Sequence, residues 1–591
     1  MTTLIFTINA FCEEVTNYEL YKPQTADYKV SPSQKDGGFA YNGRPSIAFF
    51  EGLFYAAWQA NNENKADVAG RRIYISTSKN LINWSKPTDF LIRQSINPTV
   101  PSVISEEKQG YPVLYNYNDK ELWCFWCVDG LPSEKTNAGL YKSVLEAGSK
   151  LWYSAKIFQV IEIGEAKFYM IPTQKPVELR SGKIVLPVRL CQGGITNGTE
   201  FSVPAFMFSS DEGQNWSLGG TVSLPENPMI QCDTAIHQQK NGKIRVFSLP
   251  DYRNNLPPMQ RLLTTTGSGT ELEDDMDFVT DLRAAGIETT SGNIASTQLA
   301  SDKYAMVIGD IFAEVNGPNL CYNPAVFFSR TGENDFIGGY PFAIGEEISH
   351  AQIMEKENRL YIIYSKNIGT DQNSTIGLSW VEMPEKDKHY IFPRSKDILR
   401  SYDTSFVRTN EGGFLKRKKT FDHSLATTSK DGQKNALIFT GNSSAAIDIE
   451  PVKLKDDENL EISLSMKITE LQDTGELTLF TVGSMYPAKL VMPSGRAGDI
   501  YISAPNVYKK ISAKESGKWF TINISFNKDR LQFQIDDEEA VDINNELTTQ
   551  VFYIGNNCIK ETTAINNGSS FCIDIDSVKS KANRKEFFIE Y

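Results

Sequence analysis

One pattern recurs six times in the first 385 residues and constrains the fold more than any other feature. Each unit has a short apolar strand, a turn with Gly, Asn or Lys, and then a strongly apolar, aromatic strand. The units start at Arg44, Tyr111, Lys175, Asp233, Ala295 and Ser349. Repeats with this spacing between successive starts are typical of four-stranded propeller blades. The pattern therefore predicts a six-bladed β-propeller over residues 31–385.

The pattern stops after residue 385, and a different all-β segment follows. Residues 386–420 are polar and basic, so we interpret them as a connector. Residues 421–591 contain alternating strands separated by turns, as in LEISLSMKITE from Leu460, which predicts a two-sheet β-sandwich of the jelly-roll type. Residues 1–30 form an N-terminal segment whose short apolar stretch lacks a basic region, and it could be the remnant of a secretion signal.

Composition excludes several classes of partner and cofactor. The net charge of −13 disfavours a nucleic-acid partner. No run of eighteen apolar residues occurs, so we predict no membrane span. The eight cysteines show no metal spacing. Cys124 and Cys127 lie three apart on a predicted strand and therefore face opposite sides. We expect neither a metal nor a cofactor.

The stretch SSDEGQNWS, from Ser209 to Ser217, directly follows an apolar strand. Asp211 can accept hydrogen bonds from nearby backbone amides, Gly213 tolerates a positive φ, and Trp216 can fold back over the turn. The spacing resembles the Asp-box, or BNR repeat, of sialidases and their β-propeller relatives. The C-terminal segment resembles concanavalin-like domains of the laminin-G type, on its strand pattern alone.

The resemblance to sialidases implies roles for particular residues. Arg44, in GRPS, matches an arginine that binds the substrate carboxylate. Asp67, three residues before Gly70, matches the acid/base aspartate of that family. His350 stands where the family has its nucleophilic tyrosine. Asp233 stands where the family has a glutamate, although Gln231 becomes the match if the turn carries an insertion. These matches make Asp67, Asp233 and His350 the candidate catalytic residues.

Further residues near these positions are candidates for binding the substrate. His237 lies four residues after Asp233, so both side chains face the same side of a strand. The loop and strand that follow offer Tyr252, Arg253 and Arg261. With Arg44, these are the predicted substrate-binding residues.

The sequence also departs from the sialidase pattern. Leu249 stands where that family has a second arginine, and the segment NGPNLCYNPAVFFS offers no third. We therefore expect a glycoside hydrolase that acts on a terminal, non-sialic sugar of a complex glycan.

Two alternatives remain open. One is a lyase of uronate-containing polysaccharides that uses His350, Tyr252 and Arg44. The other is a glycan-binding protein without catalysis. Each interpretation has a glycan as partner and implies a secreted or periplasmic location.

Overall fold

The computed structural model describes most of the chain and leaves several loops undescribed. The described residues are 11–21, 23–32, 34–63, 68–90, 108–128, 138–158, 161–163, 166–193, 202–221, 231–238, 242, 244–250, 261–265, 272–273, 295–299, 304–309, 321–322, 324–329, 337–342, 347–366, 374–385, 388–395, 407–408, 415–419, 429–431, 434–440, 443–447, 459–471, 476–482, 488–493, 498–527, 530–544, 552–555 and 570–585. They form 45 strands and two short 3-10 helices, Gln34–Asp36 and Ile575–Ser577. The protein is therefore all-β, as the repeat predicts.

Two N-terminal strands precede the repeating sheets, namely β1 (Phe11–Leu20) and β2 (Thr25–Lys29). Four strands form the first sheet: β3 (Tyr41–Phe50), β4 (Leu53–Asn61), β5 (Arg72–Ser78) and β6 (Thr88–Asp89). Four form the second: β7 (Gln109–Tyr117), β8 (Glu121–Val128), β9 (Gly139–Glu146) and β10 (Trp152–Phe158). The third sheet has six: β11 (Ile161–Ile163), β12 (Ala166–Pro172), β13 (Val177–Glu178), β14 (Ile184–Gly193), β15 (Ser202–Ser209) and β16 (Ser217–Thr221).

The next three sheets continue the series. The fourth contains β17 (Gln231–Gln238), β18 (Ile244–Pro250), β19 (Arg261–Thr265) and β20 (Leu272–Glu273). The fifth contains β21 (Ala295–Gln298), β22 (Tyr304–Gly309), β24 (Pro324–Ser329) and β25 (Ile337–Pro341), while β23 (Cys321–Tyr322) pairs with the sixth. The sixth is built on β26 (Glu347–Lys356), β27 (Arg359–Lys366) and β28 (Thr375–Glu382).

These six sheets are antiparallel, and each packs on the next through buried apolar side chains. The sixth sheet contacts the first, where Trp84 of the first sheet shares a core with Tyr361 and Trp380 of the sixth. The N-terminal strand β2 extends the sixth sheet, where it lies between β28 and β31. There Asp27 is buried and accepts a hydrogen bond from the Ser379 hydroxyl at 2.6 Å. Strands from distant parts of the sequence thus complete one sheet.

The remaining strands belong mainly to the C-terminal region. They are β29 (His389–Ser395), β30 (Val407–Arg408), β31 (Leu415–Lys419), β32 (Ser429–Asp431), β33 (Lys434–Thr440), β34 (Ser443–Ile447), β35 (Asn459–Glu470), β36 (Glu476–Val482), β37 (Ala488–Pro493), β38 (Asp499–Ala504), β39 (Val507–Ala513), β40 (Trp519–Phe526), β41 (Arg530–Ile535), β42 (Val541–Asn544), β43 (Phe552–Gly555), β44 (Ser570–Asp574) and β45 (Lys579–Lys585).

Sixteen strands make up the C-terminal sheet, in which β1 lies between β45 and β29. Apolar side chains from both halves of this sheet, such as Leu464 on β35 and Leu490 on β37, share one core. The sheet therefore folds onto itself as two layers, with alternate residues of β35, β40 and β41 pointing into the core.

The N-terminal and connector segments join these two regions. The sequence analysis assigns residues 1–30 to a separate segment, but β1 lies in the C-terminal sheet and β2 in the sixth sheet. Within the predicted connector, β29 pairs with β34 of the C-terminal sheet and β31 pairs with β2. These strands pair with partners far away in the sequence, which a local pattern does not reveal, and in β29 the consecutive residues Tyr390, Ile391 and Phe392 are all buried.

The segment Ser209–Ser217, which resembles an Asp-box, forms a corner of the third sheet whose polar groups hydrogen-bond to one another, and we call it the Asp-box corner. The Ser209 hydroxyl donates to Asp211 Oδ1 at 2.9 Å and accepts from the Gly213 amide at 2.8 Å. Asp211 also accepts from the backbone and side-chain amides of Asn215, and these hydrogen bonds lower the pKa of Asp211 to about 2. The Trp216 indole donates to the Gly213 carbonyl at 3.0 Å.

The same corner also fastens the third sheet to the second. Lys142 of β9 donates to the Gly213 carbonyl at 2.9 Å and lies 3.5 Å from the centre of the Trp123 ring. A Cβ atom at position 213 would lie 2.4 Å from that ring, and φ is +78° there. Only glycine fits both the backbone and the space.

Candidate functional site

Three strands at the start of their sheets carry the same unusual backbone feature. Arg44 on β3, Tyr111 on β7 and His350 on β26 have φ values of 47°, 58° and 52°. Each lies within a shift of the strand register, between residues 43 and 46, 110 and 113, and 349 and 352. A left-handed backbone is unfavourable for residues other than glycine. Such bulges redirect side chains, and backbone strain of this kind is concentrated at functional sites.

The third and fourth sheets show related interruptions at the corresponding place. Pairing of β17 with β18 shifts between Gln231 and Thr234, so Asp233 lies at this irregularity. In the third sheet, residues 173–176 separate β12 from β13, both of which pair with β14. Lys175 lies in that interruption, where burial lowers its pKa to about 7. The repeat thus places a polar residue at the same strand position in five of the six sheets.

Arg44, Tyr111 and His350 converge on one cavity. We call it the inner-strand pocket, and it is lined by Arg44, Pro45, Tyr111, Pro112, Val113, Pro172, Thr173, His350, Ala351 and Gln352. Its volume is about 20 Å³, enough for one water-sized group. The Gln352 side chain donates to the Thr173 carbonyl at 2.9 Å and so links the sixth sheet to the third. The described residues therefore enclose a narrow cavity with several polar side chains in its lining.

Among the described residues that line the pocket, Arg44 carries a positive charge. The Arg44 guanidinium carbon lies 4.4 Å from the centre of the Tyr111 ring, in a cation–π contact. Burial holds the pKa of His350 well below its ordinary value, and the charges of Arg44 and Arg189 lower it further. Arg189 lies on β14. The His350 imidazole, whose Nδ1 lies 3.1 Å from the Ser349 hydroxyl, is therefore neutral at pH 7.

A buried layer of side chains holds Tyr111 in its left-handed conformation. Gln59 Oε1 accepts a hydrogen bond from the Tyr111 amide at 3.1 Å, while Gln59 Nε2 donates to the Tyr41 hydroxyl. Arg71 is 2% exposed and donates from Nε to the Gln109 carbonyl at 2.9 Å. These contacts fix the backbone on both sides of the bulge.

The residues predicted from the sequence have different outcomes in the structure. Arg44 and His350 meet in the inner-strand pocket. Asp67, Tyr252 and Arg253 lie outside the described residues. Asp233 lies on β17 and Arg261 lies on β19. For both residues the structure describes the backbone alone.

His237, in contrast, is placed in the interior. It is 0% exposed, and its ring centre lies 3.9 Å from that of Tyr304 in the fifth sheet. Strict alternation in the sequence places His237 on the same side of β17 as Asp233, but the strand register shifts between Gln231 and Thr234, and the side of β17 that carries His237 packs against the neighbouring sheet. In this conformation His237 has no surface for substrate contact.

Sequence reasoning did not include Arg189 or Gln352 among the site residues. Arg189 is a charged residue in the apolar run KIVLPVRL, which is the signal that could have identified it. Among the described residues no group of His, Cys, Asp and Glu has the arrangement of a metal site. The search of those residues for long, apolar helices capable of crossing a membrane found none.

Comparison with solved structures finds similar chains at low sequence identity. Trypanosoma rangeli sialidase in complex with the inhibitor DANA is 14% identical, with a TM-score of 0.47 over 98% of this chain and 97% of that one. The β-fructofuranosidase from Schwanniomyces occidentalis, complexed with fructosyl-erythritol, is 11% identical, with a TM-score of 0.36 over 96% of this chain and 99% of that one. No protein-family model and no curated protein matches the sequence.

Proposed function

We propose that the six sheets close into a six-bladed propeller. We further propose that the protein is a sialidase-like glycoside hydrolase that removes a terminal, non-sialic sugar from a complex glycan. The observation that carries the proposal is the convergence of Arg44, Tyr111 and His350, three bulged residues from three different sheets, on one pocket. A glycan substrate implies a secreted or periplasmic protein.

The size of the inner-strand pocket and the charge of Arg44 favour binding of one small substituent of the sugar inside the pocket. A volume of about 20 Å³ accommodates one water-sized group, such as a hydroxyl group or one oxygen of a carboxylate, and the sugar ring would lie above it. Arg44 has a planar guanidinium that can donate two parallel hydrogen bonds to such a group. Arg189 adds positive charge close enough to lower the pKa of His350.

His350 acts in this proposal as a neutral hydrogen-bonding group. Its lowered pKa makes it a poor proton donor in the free protein. An anionic group bound beside Arg44 and Arg189 would offset their charges and raise the pKa of His350, making it a better base.

The two aspartates remain the proposed acid and base. Asp67 would protonate the leaving oxygen, and Asp233 would activate water for an inverting reaction. Inverting glycosidases hold the two carboxyl groups about 6.5–9.5 Å apart. That separation would be measured in a ligand complex of the full chain.

One observation favours a second candidate, the uronate lyase. The Arg44 guanidinium, the neutral His350 imidazole and the Tyr111 phenol line the same pocket, and the charge of Arg189 acts on His350. In β-elimination the guanidinium groups would neutralise the uronate carboxylate, which makes the adjacent C5 proton more acidic. The neutral His350 would take that proton, and Tyr111 would donate one to the leaving oxygen.

The decisive experiment is a substrate screen of the full-length protein. Sialosides, aryl glycosides and uronate polysaccharides would be incubated with the wild type and with Asp67→Asn, Asp233→Asn and a control, Asp119→Asn, in an exposed turn. Reducing ends without ultraviolet absorbance indicate hydrolysis, whereas absorbance of an unsaturated uronate indicates a lyase. Loss of turnover in Asp67→Asn but not in Asp119→Asn supports the proposed site. Absence of turnover on every substrate would contradict an enzymatic function and favour glycan binding alone.

A further inference from the structure

Gln352, in the lining of the inner-strand pocket, carries a buried acceptor atom that has no hydrogen bond. The residue lies on β26 where pairing with β27 resumes after the bulge at His350. Gln352 is 6% exposed, and within the part of the chain that the structure describes its Oε1 atom has no hydrogen-bond partner. A buried acceptor without a donor is costly, so it indicates that a small group from outside the chain supplies the donor.

The orientation of the Gln352 amide is determined by its other atom. Nε2 donates to the Thr173 carbonyl at 2.9 Å. Because a carbonyl oxygen can only accept, exchanging the two amide atoms would place two acceptors against each other. The hydrogen bond joins the sixth sheet to the segment between β12 and β13 of the third sheet, three repeats away along the chain. Rotation of the amide therefore cannot satisfy the acceptor.

The lining of the pocket is poor in groups that could donate to this acceptor. Three of the lining residues, Pro45, Pro112 and Pro172, are prolines, which have no backbone N–H. The Thr173 hydroxyl donates to a backbone carbonyl of the third sheet at 3.2 Å. The described contacts thus leave Gln352 Oε1 available to a donor from a bound group.

Size and charge restrict which group can be that donor. The cavity has a volume of about 20 Å³, so it holds one water-sized group. A carboxylate oxygen has no proton to donate at neutral pH, and an ammonium group would be repelled by the charge of Arg44. A hydroxyl group meets both limits, because it can donate to Gln352 while it accepts from a guanidinium.

We propose that Gln352 is a specificity-determining residue whose Oε1 accepts a hydrogen bond from a free hydroxyl group of the sugar in the inner-strand pocket. The inference rests on the proposed function and narrows the substrate to glycans whose terminal sugar carries that hydroxyl unsubstituted. A site that pairs a buried polar group with a substrate hydroxyl rejects analogues without it, because the buried group is then left unpaired. A methyl ether or sulfate ester at this hydroxyl would exceed the volume of the pocket.

Isothermal titration of the full chain with modified sugars tests the role of Gln352. The probes are the 4-nitrophenyl glycosides of glucose, galactose, mannose, xylose, glucuronate and galacturonate. In the probe that binds most tightly, each hydroxyl is replaced in turn by fluorine, which cannot donate a hydrogen bond, and by a methoxy group, which is also larger. This series in the wild type tests the hydroxyl without any substitution in the protein.

Three variants assign the effect to the glutamine. Gln352→Met removes the acceptor at similar size, and Gln352→Glu keeps an acceptor. Gln238→Met is the matched control, because Gln238 is also buried but both ends of its amide are hydrogen-bonded outside the pocket, to the Arg180 amide and the Gly242 carbonyl. Thermal melting of each variant verifies folding.

In the wild type, fluorine or methoxy at one position should weaken binding about ten-fold or more. Gln352→Met should bind the parent and fluorinated sugars equally, whereas Gln352→Glu and Gln238→Met should retain the preference for the hydroxyl. Absence of a sensitive position in the wild type, or a preference that survives in Gln352→Met, would overturn the inference and leave the proposed function standing. The same pattern of binding without turnover in the substrate screen would support the inference and contradict hydrolysis. Binding of no probe would overturn both.

Discussion

The Asp-box corner of the third sheet and the inner-strand pocket both contain charged side chains and left-handed backbone, but they use them differently. In the corner, Asp211 accepts hydrogen bonds from Ser209 and Asn215, and its carboxylate serves the turn itself. In the pocket, the charges of Arg44 and Arg189 lower the pKa of a buried histidine. The first arrangement fastens two sheets, whereas the second is the site that we propose receives a ligand. The most recognisable motif of the sequence is thus structural, and the less complete match marks the candidate site.

The largest expected effect is on activity and follows from removing the charge at the pocket. Arg44→Ala should lower kcat/KM on the substrate identified in the screen by about 10²–10³-fold, as for loss of one charge-stabilising donor. Its melting temperature should change little. Arg359→Ala is the control, since its guanidinium stacks on Trp380 outside the pocket. An equal loss of kcat/KM in Arg44→Ala and Arg359→Ala would contradict a specific role of the pocket arginine in activity.

Gly110→Ala should affect stability and activity together. A Cβ atom there would lie 2.3 Å from Gln59 Oε1 and 2.8 Å from Arg71 Nη2. Overpacking of this kind costs about 1–3 kcal/mol. The clash would also displace Gln59 from the Tyr111 amide. Denaturant unfolding and kcat/KM measure the two effects. Gly148→Ala is the control without a clash, since open space surrounds that position, and any loss of stability there reports its φ of +78°, a strain that Gly110 does not have.

Ser209→Ala tests the corner. Ser209 is 1% exposed, and its hydroxyl serves both Asp211 and the Gly213 amide. Loss of this buried group should lower the free energy of unfolding by about 1–3 kcal/mol. Activity at temperatures well below the transition should be unchanged. A loss of kcat/KM comparable to that of Arg44→Ala would contradict the structural role of the corner.

The depressed pKa of His350 predicts how stability depends on pH. Because the folded state binds this proton less readily than the unfolded chain, the contribution of His350 is fully present above about pH 6.5 and is lost as the pH falls toward the lower folded value. Arg44→Met removes one cause of the shift but leaves the burial, which is the largest cause. In this variant the pKa of His350 should therefore rise only partly. The free energy of unfolding should then fall less steeply as the pH is lowered. An unchanged NMR titration of His350 in Arg44→Met would show that Arg44 does not act on it.

The smallest effect concerns a second corner, in the first sheet. There Ser78, Asn80 and Trp84 repeat the hydrogen bonds of the Asp-box, with Asn80 Oδ1 accepting from the amides of Ile82 and Asn83. Leu81, with a φ of 66°, takes the left-handed place. Asn80→Asp should stabilise the protein by about 0.5 kcal/mol, because a charged acceptor strengthens both hydrogen bonds. Asp211→Asn should have the opposite sign, and both are measured by chemical denaturation.

The repeating strands are predictable because they follow from short-range periodicity, whereas Arg44 and His350 are identified as site residues through the resemblance to sialidases. The positions of β1 and β2 depend on contacts between the chain termini, which no local pattern encodes. His237 shows the limit of alternation, because the face of a strand is predictable while the neighbour covering that face is not. Arg189 acts on His350 from β14 of the third sheet, and the sequence does not show this because the two residues are far apart along the chain.

NMR of the His350 imidazole during addition of the glycan that the protein recognises tests the central claim most directly. The chain has four histidines, so the imidazole C–H resonances can be assigned by single substitutions. The account predicts that the ligand shifts the His350 resonances, leaves the buried His237 unchanged and raises the pKa of His350. A ligand that leaves His350 unaffected would place the glycan elsewhere and contradict the assignment of the inner-strand pocket.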